Sequence, residues 1–228
     1  MSAATVGIVL PLYNAARYVA AAVDSALAAA GNVPVRIVAV DDGSDDDGLA
    51  IACARSPLVE GIRIEHAGLS AARNAGVALL DTEFLAFLDA DDLWPTESLS
   101  ARLAAFAADP AADGVFGRVE QFICPSVPAE RRARLRFAAS ERPSPMITAL
   151  LLRRCRFLDV GPFDPATGNG ENLDWQLRAR AKELRMIGID ALVLRRRIHG
   201  DNLSLRNLQA GRDYLRVLRA HIARGQPR

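Results

Sequence analysis

The sequence predicts an α/β fold: a single domain with a mostly parallel central sheet flanked by helices, closed by a C-terminal helical tail. Three observations predict it. Short apolar runs alternate with stretches of helical periodicity. The apolar runs are continuous rather than alternating, as strands covered on both faces are. Three of them end in polar turns, Pro11–Asn14, Asp41–Ser44 and Asp89–Asp92. Ligands of open parallel sheets bind beyond the carboxyl ends of the strands, so these three turns should meet at one crevice.

Val6–Leu10 reads as the first buried strand, stopped by Pro11. Asn14 is the expected cap of the next helix. That helix carries Val19, Val23 and Leu27 on one face, with Ala22, Ala26 and Ala30 beside them, and ends at Gly31. Val35–Val40 is the second strand. It runs into the turn Asp41–Asp47, and a weak helix follows over Leu49–Ala54. Ile62–Glu65 reads as a short third strand. Ser70 is the expected cap of a helix reaching Leu80.

Phe84–Leu88 is the expected central strand, and it ends in Asp89-Ala90-Asp91-Asp92. Ionised carboxylates this close repel one another and resist desolvation. A divalent cation held by Asp89 and Asp91 would make the arrangement reasonable, and such an ion keeps positions open for phosphate oxygens. The plainer alternative is that Asp91 and Asp92 cap the helix beyond Trp94-Pro95.

Leu99, Leu103 and Phe106 fit one face of a helix ending near Pro110, and Gly114–Cys124 fits a strand. Residues 125–145 hold four prolines and Arg131, Arg132, Arg134, Arg136 and Arg142, the pattern of a lid or excursion. Ile147–Leu152 returns to apolar character. Arg153–Val160 reads as a short helix, Thr167–Gly170 as a flexible loop, and Glu171 opens a helix to about Leu184. Ile187–Leu194 is a last strand candidate, followed by Arg195-Arg196-Arg197-Ile198-His199. The tail from Leu205 mixes leucines with arginines.

The formal net charge of +1 hides an asymmetry. Residues 1–130 carry 7 Lys and Arg against 18 Asp and Glu, whereas residues 131–228 carry 21 against 9. An acidic half suits a metal and a basic half suits anions; two mutually compensating solvated faces are the alternative. Three widely spaced cysteines, Cys53, Cys124 and Cys155, imply neither a disulfide framework nor a metal knuckle. No signal peptide or membrane span is expected, which points to a cytoplasmic protein, with no nucleic acid among its partners. Neither a Gly-x-Gly-x-x-Gly nor a Gly-x-x-x-x-Gly-Lys-Ser/Thr loop is present, which disfavours dinucleotide oxidoreductases and P-loop NTPases.

Five segments in order, Pro11-Leu12-Tyr13-Asn14, Val40–Ser44, Gly68–Gly76, Asp89–Asp92 and His199–Ser204, resemble the family-2-type glycosyltransferases of GT-A fold. The likeness spans roughly residues 5–205. It implies a catalytic domain over 1–204, with a nucleotide-binding half to about residue 95 and an acceptor half beyond, and a tail over 205–228. It implies transfer of a sugar, hexosyltransferase-like, from a nucleotide diphosphate donor (a UDP-sugar by family habit) to an acceptor hydroxyl in cell-surface glycan or glycolipid assembly.

By the same resemblance Pro11, Tyr13, Asn14, Asp42, Arg73 and Asp89 would bind the donor. Asp89, Asp91 and His199 would hold Mn or Mg. The family's acceptor-side Glu-Asp pair is Glu171-Asn172 here. Either Glu171 or Asp174 would then act as base, or the protein binds donor with impaired transfer. A Gln-x-x-Arg-Trp signature is missing, which argues against a processive synthase. The basic, apolar tail permits peripheral contact with the inner face of a membrane; a solvated helix packed on the domain is the alternative.

Overall fold

The computed structural model describes residues 5–125, 127–128, 130, 132, 142–199 and 210–225. Seven strands form one sheet: β1 (Val6–Leu12), β2 (Val35–Asp41), β3 (Val59–Arg63), β4 (Phe84–Phe87), β5 (Gly114–Ile123), β6 (Leu150–Arg153) and β7 (Met186–Ile198). Their order is β3-β2-β1-β4-β6-β5-β7. All neighbours run parallel except β6, which is antiparallel to both β4 and β5. The helices are α1 (Val19–Ala30), α2 (Gly48–Cys53), α3 (Leu69–Ala78), α4 (Ser98–Ala108), α5 (Arg154–Val160), α6 (Glu171–Ala181) and α7 (Ala210–Gly225). Among the described residues, no helix is long and apolar enough to cross a membrane.

Strand alternation divides the core into two layers. Ile8, Leu10, Phe84 and Ala86 face α1, α2 and α4. Val9, Val38, Leu85 and Phe87 face α3, α5 and α6. In the second layer Phe157 stacks on Trp175, with ring centroids 5.4 Å apart, and Phe87 and Phe163 close around them. Gly76 decides how near α3 lies to this sheet. A Cβ there would stand 2.5 Å from Val9 Cγ1, so the glycine permits the approach that delivers Arg73, one turn earlier, to the strand ends.

Several expectations need correction. Asn14 caps no helix: α1 begins at Val19, while Asn14 sits at φ 50° and its Oδ1 accepts from the Asp45 amide at 2.9 Å. Ser70 lies inside α3, whose flanking residue is Gly68 at φ 91°. The third strand is Val59–Arg63, not Ile62–Glu65, because as a sheet edge it keeps only Val59 buried and lacks a clear apolar pattern. Asp91 and Asp92 do not cap α4, which starts only at Ser98. Thr167–Gly170 belongs to a 3-10 turn spanning Pro165–Gly170.

The last strand runs beyond the expected Leu194 and continues through Arg195–Arg197. Those arginines have strand partners. Arg195 Nε donates to Glu120 Oε2 at 2.8 Å, and the Arg197 guanidinium lies 4.8 Å from the Phe122 ring centre. The expected lid over 125–145 lies mostly outside the described residues, as do residues 200–204 of the last motif.

Candidate active site at the strand ends

The carboxyl ends of β1, β2 and β4 do meet, and backbone amides explain how two of their loops are fixed. Asp42 follows β2, and its carboxylate accepts from the Ala67 amide at 2.7 Å and the Gly68 amide at 2.9 Å. His66 Nδ1 lies 2.9 Å from both a carboxylate oxygen and the carbonyl of Asp42. Asp42 therefore ties the β2 end to the turn entering α3, and most of its acceptor capacity is already used. His66, which the sequence did not single out, stacks on Tyr13 with centroids 4.5 Å apart. Tyr13 remains 51% exposed, so this pair offers a planar shelf. Pro11 is buried within β1 opposite Val40 and shapes the strand end without offering a surface.

Arg73 stands at the centre. It is 2% exposed, donates from Nη2 to Asp89 Oδ1 at 2.8 Å and from Nη1 to Glu171 Oε1 at 3.1 Å. Burial alone would weaken its hold on its proton. The two carboxylates outweigh burial and raise it above the ordinary arginine value. One guanidinium thus joins the β4 end to the first residue of α6, across 98 positions of sequence. Among the described residues, Glu171 Oε2 has no partner.

Asp89 and Asp91 diverge. Asp89 turns to Arg73, whereas Asp91 Oδ2 lies 2.9 Å from His199 Nε2. The His199 ring packs on Tyr18 at 4.7 Å. Asp92 is buried and accepts from the Arg197 amide at 2.8 Å. Burial first, then the charges of Asp91 and Asp89, push its carboxyl well above the usual range. Two backbone bonds between Leu93 and Arg195, at 3.0 and 2.8 Å, stitch this acidic loop to the end of β7. No group of three His, Cys, Asp or Glu side chains suited to a metal is gathered among the described residues. Of the three expected ligands, Asp91 and His199 stand together, an oxygen and nitrogen pair of a kind divalent ions accept, while Asp89 is paired with Arg73.

Further along α6, Asp174 is held by its own helix. Its Oδ2 accepts from Arg178 Nε at 2.8 Å, and Arg178 in turn donates to the carbonyls of Val160 and Pro162. Asn172 is a structural tie: its Oδ1 accepts from the Ile147 amide at 3.2 Å and from Gln176 Nε2 at 2.9 Å. Asn74 was also missed. Its carboxamide makes two bonds to the backbone of Phe163, donating to the carbonyl at 2.8 Å and accepting from the amide at 2.9 Å. Its place beside Arg73 within Gly68–Gly76 was the available signal.

A mostly parallel open sheet with a stacking shelf, an acidic strand end and a facing carboxylate places a ligand crevice beyond the strand ends. The profile of Glycosyl transferase family 2 matches residues 7–162. The chain belongs to that family. Glu171 and His199 lie beyond the matched segment. The chain is 29% identical over 171 residues to a pre-mycofactocin glycosyltransferase of Mycobacterium tuberculosis, covering 66% of this chain and 35% of that protein. It is 34% identical over 105 residues to an uncharacterized glycosyltransferase of Nostoc sp., covering 44% and 32%. It therefore spans about a third of the length of these relatives. The crystal structure of S. aureus TarS 1-349 in complex with UDP-GlcNAc superposes with a TM-score of 0.76 at 18% identity, over 96% of this chain and 66% of that one. At that identity the likeness establishes the fold.

Proposed function

We propose that this chain transfers a sugar from a nucleotide diphosphate sugar, a UDP-sugar by preference, to an acceptor hydroxyl with inversion. The observation that carries the reading is Arg73, which holds Asp89 and Glu171 on one guanidinium. It brings the donor end of the sheet and the acceptor-side carboxylate to a common point. The base would stack on the exposed face of Tyr13, backed by His66. TarS was solved with UDP-GlcNAc and with UDP, which supports a uracil nucleotide on this fold.

Glu171 Oε2 takes the proton of the acceptor hydroxyl as its oxygen bonds to the anomeric carbon and the bond to the diphosphate breaks. Asp91 and His199 would hold Mn or Mg, which when bound supplies positive charge beside the departing diphosphate. Arg73 adds its own positive charge at the same junction. The alternative, a donor-binding protein with impaired transfer, was motivated by Asn172, but that side chain serves Ile147 and Gln176 as a scaffold residue.

Glu171→Gln tests the assignment. Transfer should fall by about 10²–10⁴-fold, with UDP affinity by calorimetry unchanged. Unaltered transfer removes Glu171 from the mechanism. Donor binding without transfer in the wild type, across sugar, lipid-linked and small-molecule acceptors, favours the binding protein. Thermal shift with UDP, with and without manganese, checks the ion; equal shifts in wild type and His199→Ala count against Asp91 and His199 as its ligands.

The outer face of α7 favours an acceptor met at a membrane surface. Tyr214, Leu215, Leu218 and Ile222 are 45%, 54%, 40% and 60% exposed. They fall within about 100° of the helix circumference. Arg219 borders the stripe, which matches an anionic lipid interface. Flotation with phosphatidylglycerol vesicles but not with pure phosphatidylcholine, abolished by Leu218→Glu, is the expected result. No flotation, or self-association through the stripe, rejects it.

A further inference from the structure

We propose that α7 is a positioning element for the acceptor-side carboxylate, with Asp213 and Val217 fixing the Gly168–Gly170 turn from which Glu171 starts. The proposal rests on Glu171 as the base. Glu171 is the first residue of α6, so its place is inherited from the turn before it. The front of that turn holds itself: Asp164 Oδ1 accepts from the Ala166 amide at 2.9 Å, and the Thr167 hydroxyl donates to the Asp164 carbonyl at 2.6 Å. The back half, with Gly168 at φ 58°, ψ −127°, is held from outside.

Asp213 Oδ2 accepts from the Asn169 amide at 3.3 Å and from Asn169 Nδ2 at 3.0 Å. Asp213 and Val217 are 7% and 2% exposed and one helical turn apart. The turn presents bare backbone to them. A Cβ at Gly168 would stand 2.8 Å from Asp213 Oδ2, and one at Gly170 would stand 2.8 Å from Val217 Cγ2. The Asn169 bonds, its side chain first, hold the Asp213 carboxyl below its ordinary value, with Arg216 adding to them. Among the described residues, Asp213 faces the charge of Arg216 on its own helix and the neutral amide of Asn169 from the opposite side.

Arg73 is fixed independently, on α3 and by Asp89. Moving the turn therefore moves Glu171 against a stationary partner. Donor capture, which uses the Tyr13–His66 shelf on the far loops, stays unchanged. The α7 helix thus governs proton removal and not nucleotide affinity. It also links the helix carrying the exposed apolar stripe to the reacting centre.

The test uses the full chain. Gly170→Ala inserts the methyl that Val217 opposes; the residue sits at φ −91°, which alanine adopts without strain. We expect kcat for UDP-GlcNAc turnover to fall by about 10- to 100-fold, with the UDP Kd within about twofold and amide exchange faster over residues 168–174. In Gly170→Ala with Val217→Ala, the opposing Cγ2 is gone, and kcat and exchange should return to the values of Val217→Ala alone. Wild-type kcat and exchange in Gly170→Ala overturn the proposal. So does an equal loss of UDP affinity and stability that the second substitution fails to rescue. Glu171→Gln separates the two readings: if it turns over normally, the base assignment fails. If it is inactive while Gly170→Ala is normal, only the positioning role fails.

Discussion

Two arginines are buried on opposite faces of the sheet, and their surroundings could hardly differ more. Arg73 on α3 meets two carboxylates, and they strengthen its hold on its proton. Arg102 on α4 is fully buried with no carboxylate partner among the described residues. Its Nε donates to the Ser98 carbonyl at 3.0 Å, its guanidinium lies 4.4 Å from the Trp94 ring centre, and its Nη1 has no partner among the described residues. Burial lowers it to about 9. The first charge holds the two sides of the cleft together. The second is carried by packing and by an aromatic face. Burial alone therefore does not mark a functional charge; the company of opposite charges from distant segments does.

The largest effect that could break this contrast is at Arg73. Arg73→Met leaves Asp89 and Glu171 facing each other without a cation, and uncompensated buried charge of this kind costs about 3–5 kcal/mol. Stability by urea denaturation should fall by that amount, and transfer should fall by at least about 10²-fold through loss of preorganised charge. Arg73→Lys keeps a charge but cannot serve both carboxylates in a fixed fork, so it should recover stability more than rate. A methionine variant with wild-type stability would mean that the junction is solvated and the two halves are held by packing alone.

The contrast also measures what the sequence can tell. The strands were legible because a continuous apolar run between polar turns fits little besides a strand covered on both faces. The three polar turns were legible because strand ends in such sheets converge. Asp91 and His199 could be grouped through the family resemblance, and Arg73 could be named as a candidate, but not its pairing with Glu171. The contact from Arg73 to Glu171 spans 98 positions, and Asn74 of α3 ties the loop at Phe163, 89 positions on. No local pattern encodes such a pairing. Arg102 did leave a signal: at helical spacing it borders the apolar stripe of Leu99, Leu103 and Phe106. His66 left none, since a single histidine after a strand reads as an ordinary turn residue.

Arg102 supplies the second test, with the opposite sign. Replacing an uncompensated buried charge by an apolar side chain of similar length should relieve its desolvation, so Arg102→Met should gain on the order of 1 kcal/mol or more. Transfer should be unchanged. The pH dependence follows from the lowered value. Below about 9 the folded and unfolded states are both protonated, and the full cost of burying the charge is present. As pH rises through 9 the folded state sheds the proton while the unfolded state keeps it, so the wild type recovers stability. The advantage of Arg102→Met should therefore be larger at pH 7 than at pH 10 by denaturant titration. A loss of more than about 1 kcal/mol at pH 7 would make the Trp94 contact worth more than the burial it accompanies.

The smallest effect concerns the neutral neighbour of Arg73. Asn74 makes two hydrogen bonds to Phe163, one in each direction, and no charge is involved. Asn74→Ala should cost about 1–3 kcal/mol, the desolvation of the Phe163 amide and carbonyl left without partners. Asn74→Asp still accepts from the amide but turns a carboxylate oxygen towards the carbonyl, so it should be no better than alanine. Because Arg73 keeps both carboxylates in either variant, the transfer rate should drop less than tenfold, well short of the loss in Arg73→Met. If Asn74→Ala instead abolished transfer while leaving stability near wild type, the alignment of the two halves would depend on this amide clamp more than on the ion pairs beside it. The charged junction would then be the adjustable contact and the neutral one the fixed contact.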